Sequence, residues 1–437
     1  MGFNLGTVAI LFRSLDKNTC GEWVIYLTIT AFIEIGRTGL LQNGLITYLN
    51  ITPISEHSKI NAASLFLNMS LSVIFVAMLL LGGNSAAHFL NAPSLTLLLS
   101  IYAATTFCLS GLYQFNFIQQ ANLDFKGLFW SSFVKNGLLF GYVLYIKLTS
   151  GVFELWHLAV CQLVAALPAT LIAYVFAKPY FHLTTSLDWA WVKKLFHYGK
   201  YTFGTNIATM TYKNVDKFML GHLLLGSLST YDLSIKINNL AEVPSMTLAA
   251  ILFPQSAKRN DTEGGNSAKY LYEKGVGVLL AIILPLVLGI IIFADVIIFI
   301  IGGEKYANSA PILRMTIFYG VFMAYAVQFG TILDSIGKPK LNFYITTLGA
   351  IINLACNYYF IKNHGLYGAV AGSLIAMTIM FIVMQTILRK MLNVNTLNAF
   401  TYMIQFYKDM YQKVFGRFKK AEMAQNTEGV SEFKIKN

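Results

Sequence analysis

The sequence predicts an all-α integral membrane protein with about twelve transmembrane helices. Two observations carry this prediction. Of the 437 residues, 56% are hydrophobic and 12% are charged, whereas soluble domains carry about 25% charged residues. Apolar runs of about 20 residues recur along the chain, which is the length of a transmembrane helix. The shorter alternating segments of an outer-membrane barrel are absent from the pattern.

Each span is assigned from the length of its apolar run. The opening run, Met1–Phe12, is shorter than a span by roughly ten residues, which leaves open whether the true N-terminus lies upstream of Met1. It has no basic start and no small-residue cleavage site, so no cleavable signal peptide is predicted. The other spans are predicted at 22–49, 60–81, 95–119, 127–148, 152–177, 195–224, 231–254, 275–301, 310–333, 343–361 and 367–388.

Basic residues fall mainly at alternate span ends and predict the orientation. The rich ends hold Lys59, Lys126, Lys178, Lys193, Lys194, Lys258, Arg259, Lys269, Lys274, Lys338, Lys340, Arg389 and Lys390. The opposite ends hold Arg13, Lys17, Lys147, Lys305 and Lys362. Because basic loops stay in the cytoplasm, both termini are expected there, in a multi-pass protein of a bacterial cytoplasmic (inner) membrane. Topology therefore explains the net charge of +12, and no nucleic-acid partner is expected.

The chain is expected to form two six-helix transmembrane lobes, 1–178 and 195–390, with a cytoplasmic inter-lobe linker at 179–194. Weak internal similarity supports this division: Tyr145–Val152 resembles Phe360–Leu366. An even number of spans in each half predicts a parallel pseudo-two-fold repeat around a central cavity. Residues 391–437 are predicted to be a basic amphipathic cytoplasmic tail, which lies on the anionic leaflet or docks on cytoplasmic loops. Its last part, 421–437, is expected to be disordered.

The segment Lys213–Ser256 places charged residues inside apolar spans, around a predicted turn at Gly226–Ser229. A charge at bilayer depth costs roughly 2.5–3.5 kcal/mol, so it is expected to meet water, a partner or a ligand. The cations predicted to line a hydrated cavity and bind an anionic substrate, phosphate above all, are Arg37, Lys135, Lys213, Lys236 and Arg314. Arg37 and Lys135 lie nearest to mid-span. Ion-coupling candidates are Glu34, Asp216, Asp232, Glu242 and Asp334.

A second interpretation of these charges is structural. Spacings of three and four residues along a helix permit ion pairs. Asp216 would then pair with Lys213 or Lys217, Asp232 with Lys236, and Glu34 with Arg37. Such pairs would tie helices together, and they can coexist with a transport function.

Catalysis has little support in the sequence. There is no P-loop, HExxH or GxSxG motif, and the four cysteines show no metal spacing. The seven histidines are scattered, mostly near span ends. The chain is therefore not expected to be an enzyme or to hold a cofactor or metal.

Several motifs, in order along nearly the whole chain, resemble those of the polysaccharide-biosynthesis flippases of the O-antigen and capsule type, within the multidrug/oligosaccharidyl-lipid/polysaccharide exporter superfamily. They are Leu11–Leu15 with Gly21-Glu22-Trp23, Gly39-Leu40 through Tyr48, Asp216–Gly221 with Tyr231–Ser234, Phe253-Pro254, Gly302–Ala307, Gly337–Lys340, and Asn353 with Gly365–Ala369. The first span is short, and Ser229-Thr230 stands where the family has glycine before the tyrosine.

The resemblance implies a two-lobed bundle that flips a polyprenyl-diphosphate-linked oligosaccharide to the outer leaflet by alternating access, coupled to protons or sodium. It also implies membrane lipid and polysaccharide polymerase or export proteins as partners. One alternative is a drug/cation antiporter of the same fold, which would want an acidic cavity. Another is a membrane polysaccharide polymerase or ligase, which should carry a large external loop with clustered His and Arg. The sugar, the coupling ion and the oligomeric state stay open.

Overall fold

A computed structural model describes residues 2–149, 151–184, 186–263 and 265–412. Within these ranges the secondary structure is helical and contains no strand, which confirms the all-α class. The helices are α1 (Gly2–Ser14), α2 (Lys17–Ile51), α3 (Ile54–Phe89), α4 (Leu95–Ala121), α5 (Lys126–Leu148), α6 (Leu155–Ala177), α7 (Trp189–Leu223), α8 (Leu225–Glu263), α9 (Gly265–Gly302), α10 (Ser309–Thr316), α11 (Tyr319–Ser335) and α12 (Pro339–Leu392), with a 3-10 turn at Glu304–Tyr306. Residues 398–412 are also helical.

Seven helical segments of the described residues are long and apolar enough to cross a membrane. They are α2, α3, α4, α6, Ser267–Gly302 in α9, the α10–α11 segment Ser309–Ser335, and α12. The 54 residues of α12 are interrupted at Gly365, whose φ is +55°, so this element covers two of the predicted spans. Interior lysines and acids lower the hydropathy of α5, α7 and α8. The total of about twelve spans remains a prediction.

The predicted turn is wrong, and other helices extend beyond the predicted spans. The turn at Gly226–Ser229 is helical, because α8 already begins at Leu225 and the break between α7 and α8 is confined to Leu224. Helix α7 begins at Trp189, inside the predicted linker. Helices also extend into the interval between the predicted spans 231–254 and 275–301, since α8 continues to Glu263 and α9 starts at Gly265. The helices continue through polar residues at these positions, so they are longer than the apolar runs from which the spans were predicted.

Side-chain caps explain where α2 and α7 begin. The carboxylate of Asp16 accepts a hydrogen bond from the backbone N–H of Thr19 at 3.0 Å, and these bonds to Thr19 lower the pKa of Asp16. Asp188 caps α7 by accepting from the N–H of Ala190 at 2.9 Å. Each cap satisfies one of the N–H groups that lack a partner in the first turn of a helix.

The chain divides into two compact units. Unit 1 contains residues 1–235, 294–312 and 343–376, and unit 2 contains 236–293, 313–342 and 377–437. These units differ from the predicted lobes, whose boundaries remain a prediction. The core of unit 2 includes Ala241, Leu279, Ile283, Val287, Ile317 and Ala324.

In unit 1, α2 and α7 run antiparallel and in contact along most of their lengths. Near one end, the Cβ of an alanine at Gly21 would lie 2.7 Å from the carbonyl oxygen of Leu225, just after α7. Near the other end, an alanine Cβ at Gly199 would lie 1.8 Å from the carbonyl oxygen of Leu40. Small residues allow this close approach of two backbones, as in membrane helix pairs generally. We call this contact the α2–α7 seam.

Within unit 2, helix 398–412 packs on α9. The hydroxyl of Tyr407 donates to the carbonyl of Ala281 at 2.5 Å, and the ring of Tyr402 meets that of Tyr270 edge-on at 5.8 Å. Glu273 is 3% exposed and accepts from the side-chain amide of Asn398 at 2.9 Å. This part of the predicted tail therefore docks on a helix of the protein. The predicted disorder of 421–437 lies outside the described residues.

Candidate functional site

Arg37, at the middle of α2, is enclosed by neighbouring helices of unit 1. Its side chain is 1% exposed. One guanidinium nitrogen donates to the hydroxyl of Ser72 on α3 at 3.0 Å and to the carbonyl of Thr106 on α4 at 3.2 Å, and the group lies 5.8 Å from the ring centre of Tyr113. Arg37 thus joins α2, α3 and α4, and in this conformation it offers almost no surface to a ligand.

Glu34, one turn before Arg37, is half-buried and held by two tyrosines of α4. The hydroxyl of Tyr102 donates to one carboxylate oxygen at 3.1 Å, and that of Tyr113 donates to the other. No direct ion pair with Arg37 forms among the described residues. The predicted Glu34–Arg37 pair is therefore wrong, because each side chain is hydrogen-bonded to residues of other helices. The carboxylate keeps a partly accessible position beside a buried cation.

The charges of α7 and the start of α8 pair across the two helices. Lys217 and Asp232 form a salt bridge of 2.9 Å, with side chains 13% and 1% exposed. Asp216 accepts from the hydroxyl of Tyr231 and from the backbone N–H of Lys217 at 2.8 Å. The side chain of Lys217 therefore pairs with Asp232 and not with the adjacent Asp216. This arrangement supports the structural interpretation for these three residues, although with different partners.

The remaining predicted cations are less enclosed. In unit 1, Lys135 of α5 and Lys213 of α7 are half-buried. Lys135 forms no hydrogen bond or ion pair with any residue that the structure describes, whereas Lys213 interacts within the protein. In unit 2, Lys236 is half-buried and interacts within the protein. The guanidinium of Arg314 donates to the carbonyl of Ile291 at 3.3 Å.

The carboxylates predicted in unit 2 are also placed. Glu242 is half-buried on α8 and has interactions within the protein. Asp334, near the end of α11, accepts from the side-chain amide of Asn342 at 3.0 Å.

The sequence reasoning missed a second polar column in unit 1, on α12. The amide of Asn353 donates to the carbonyl of Tyr212 on α7 at 2.5 Å. Asn357, one turn later, is fully buried and donates to Asn353 at 2.7 Å and to Ser373 at 3.1 Å. Asparagines spaced by four within an apolar run are the signal that could have found this column.

The tyrosine donors were also missed. Tyr102, Tyr113 and Tyr231 each donate a hydroxyl hydrogen bond to a carboxylate. Buried tyrosines usually find a hydrogen-bond partner. Tyrosine hydroxyls in the same spans are therefore alternative partners for the carboxylates, in addition to the lysines.

The sequence profile of a family described as "Polysaccharide biosynthesis protein" matches residues 10–311. The lipopolysaccharide biosynthesis protein WzxC of Escherichia coli K12 is 23% identical over 93% of this chain and 78% of its own length. The probable low-salt glycan biosynthesis flippase Agl15 of Haloferax volcanii is 21% identical over 43% of this chain. An uncharacterised membrane protein of Methanocaldococcus jannaschii, MJ1068, is 27% identical over 47% of this chain. The matches with the two archaeal proteins span about two fifths of their lengths, 40% and 41%.

Two solved structures share the fold. An inward-facing multidrug resistance MATE family transporter of the MOP superfamily has a TM-score of 0.76 at 17% identity, over 89% of this chain and 95% of its own. The lipid II flippase MurJ, in an inward closed conformation, has a TM-score of 0.75 at 14% identity, over 92% of this chain and 88% of its own. At these identities the likeness establishes the fold, a multi-pass membrane bundle, and nothing about substrate.

Proposed function

Because the chain belongs to the polysaccharide biosynthesis protein family, a flippase family of the MOP superfamily, we propose that it translocates a polyprenyl-diphosphate-linked oligosaccharide. The repeat unit of an O-antigen, capsule or exopolysaccharide would move from the cytoplasmic to the outer leaflet by alternating access. The observation that carries the proposal is the set of half-buried cations inside membrane helices, of which Lys135 is the one without a protein partner among the described residues. A diphosphate is the anion that such cations suit.

The cations divide into two roles in this proposal. Arg37 holds three helices together, so it acts on transport through the shape of unit 1. Lys135 and Lys213 are accessible enough to meet the diphosphate, and Lys236 and Arg314 are further candidates in unit 2. Lysine suits a mobile phosphate because its ammonium is a compact charge on a flexible stem.

Glu34 is the strongest candidate for ion coupling. Asp216 and Asp232 are 5% and 1% exposed and already paired, so a change in their protonation would break the α7–α8 contact. Glu34 is half-buried, and both oxygens accept from tyrosine hydroxyls. Protonation, or binding of a sodium ion, would neutralise the carboxylate and weaken these two charge-assisted bonds, and this would couple the ion to the packing of α2 on α4.

The α2–α7 seam is the contact that would open and close during alternating access. A cavity opens to one face only if α2 and α7 part at that end while they stay packed at the other. The glycines at both ends of the seam permit contact without interlocking side chains. The transport cycle would then separate one end of the seam at a time.

Substitutions in a strain that depends on this gene test the proposal. Lys135→Ala should abolish surface glycan at normal protein levels, while the matched control Lys126→Ala, at the start of the same helix, should leave surface glycan unchanged. Arg37→Ala should lower the amount of folded protein, because it removes the bonds to Ser72 and Thr106. Full surface glycan in Lys135→Ala would contradict the cation role, and resistance to drugs by efflux would favour the antiporter alternative.

A further inference from the structure

Four basic side chains converge at one end of unit 1, the end that is predicted to be extracytoplasmic. Arg13 and Lys147 line a cleft of about 560 Å³, together with Ser14, Asp16 and Phe153. Two more cations adjoin this cleft. The ammonium of Lys305 donates to the carbonyl of Leu15, which lines the cleft, and that of Lys17 lies 5.8 Å from the ring centre of Tyr306. We call this group the basic corner.

Three distant chain segments build the basic corner, and fixed contacts hold them. Arg13, at the end of α1, donates to the carbonyl of Phe299 on α9 at 2.8 Å. The turn that follows α9 passes close by, because Gly303 adopts a φ of +75° that glycine favours. Lys147 ends α5. The cleft is therefore a product of the fold and not of one flexible loop.

The basic corner keeps an excess of positive charge. Partial burial lowers the pKa of Lys305; Cys20 and Asp16 oppose this effect, and the neighbouring Lys17 and Lys147 add smaller lowering effects. The carboxylate of Asp16 is engaged as the cap of α2. Glu304 on the turn is exposed, and Glu154 follows the cleft residue Phe153. Cations that repel one another at a half-enclosed site are stabilised by a bound anion.

The position of this charge is as informative as its amount. Five basic residues were assigned to the predicted extracytoplasmic ends, and Lys362 is the one that lies outside the basic corner. Basic residues are normally enriched on the cytoplasmic side of a membrane protein. Their concentration at one point on the opposite side therefore indicates a functional role. The hydroxyl of Ser14, which lines the cleft, is buried without a hydrogen-bond partner in the protein and could donate to an oxyanion.

We propose that the basic corner is a binding site for a phosphate- or diphosphate-bearing group at the extracytoplasmic end of the protein. Arg13 would contact the phosphate oxygens through its fork of N–H groups, and the lysines would act as point charges. This site is separate from the cations of the membrane helices. It stands on the geometry of unit 1 and the predicted orientation, whether or not the chain flips a glycan.

Direct binding to the purified full-length protein tests the site. The probes are farnesyl diphosphate and inorganic pyrophosphate, in detergent and at two salt concentrations. Lys147 is exposed and is the safest residue to change. We expect Lys147→Gln to weaken binding of farnesyl diphosphate about fivefold and Lys147→Glu to weaken it more. The matched control Lys362→Glu changes an exposed lysine of the same predicted side and should bind like the wild type.

The probes distinguish the two sources of the anion. Tighter binding of farnesyl diphosphate than of pyrophosphate assigns the site to a lipid headgroup, and equal binding assigns it to a free phosphate. The proposal is overturned if Lys147→Glu binds both probes as the wild type does, or if Lys362→Glu loses as much affinity. A third test places Lys147→Cys in a variant whose four native cysteines are replaced. The proposal is also overturned if a membrane-impermeant maleimide labels this cysteine only from the cytoplasmic side.

Discussion

Gly199→Ala should weaken the α2–α7 seam. The new Cβ would lie 1.8 Å from the carbonyl oxygen of Leu40 and 3.0 Å from its Cα. Non-bonded contacts are most favourable near 3.5 Å, so the two backbones would have to part locally by about 1.5 Å. Because the clash is with backbone, no side chain can rotate to relieve it. Overpacking of this kind typically costs about 1–3 kcal/mol.

Gly141→Ala is the matched control for this change. Gly141 lies inside α5, and a Cβ there would meet nothing within 4 Å. Alanine raises helix propensity by about 1 kcal/mol at either position, so this gain cancels in the comparison and leaves the cost of the seam.

Thermal unfolding in detergent measures the difference. Gly199→Ala should melt at a lower temperature than Gly141→Ala, and Gly141→Ala should melt no lower than the wild type. If the melting temperature of Gly199→Ala equals or exceeds that of Gly141→Ala, the backbones are not in contact at this point, and the seam as described is refuted.

Three further changes test the α7–α8 salt bridge, the cap of α2 and the break in α12. Lys217→Met removes the salt bridge to the buried Asp232, and breaking a buried pair costs about 3–5 kcal/mol. The double change Lys217→Met with Asp232→Leu should recover part of the folded yield. Equal yields of the single and the double variant would contradict the pairing. Asp16→Ala removes the cap on Thr19 and should cost about 1 kcal/mol, whereas Asp16→Asn can still accept the bond and should cost less; unfolding by denaturant compares them. Gly365→Ala places a side chain at a φ of +55° and a ψ of −131°, a combination that residues with a Cβ rarely adopt, and should cost about 1–3 kcal/mol by the same measurement. An unchanged free energy of unfolding would contradict this strain.

Apolar run length predicted where the helices lie, because transfer into the membrane depends on local composition. It failed at helix ends such as Leu225 and Trp189, where polar residues continue the helix and no apolar signal marks the boundary. Hydrogen bonding inside the helix is satisfied whether or not a residue is apolar, so α8 continues through Gly226.

The predicted charges were the right residues to question, but their partners could not be read from spacing. Lys217 pairs with Asp232 on the next helix, and Glu34 is held by tyrosines of α4. These contacts depend on how helices pack, and a three- or four-residue spacing carries information about one helix only. The burial of Arg37 could not be predicted either. A position near the middle of a span is the same for a residue that lines a cavity and for one that lies between packed helices.

A flippase assay with the purified protein in liposomes tests directly whether the protein translocates lipid-linked oligosaccharide. Lipid-linked oligosaccharide would be incorporated in both leaflets, and a membrane-impermeant glycosidase would then be added outside. With the wild-type protein, the enzyme should reach the lipid of both leaflets. With Lys135→Ala, it should reach only the outer-leaflet pool. If the wild-type protein also leaves the inner-leaflet pool protected, under each ion gradient applied, the proposed translocation is contradicted.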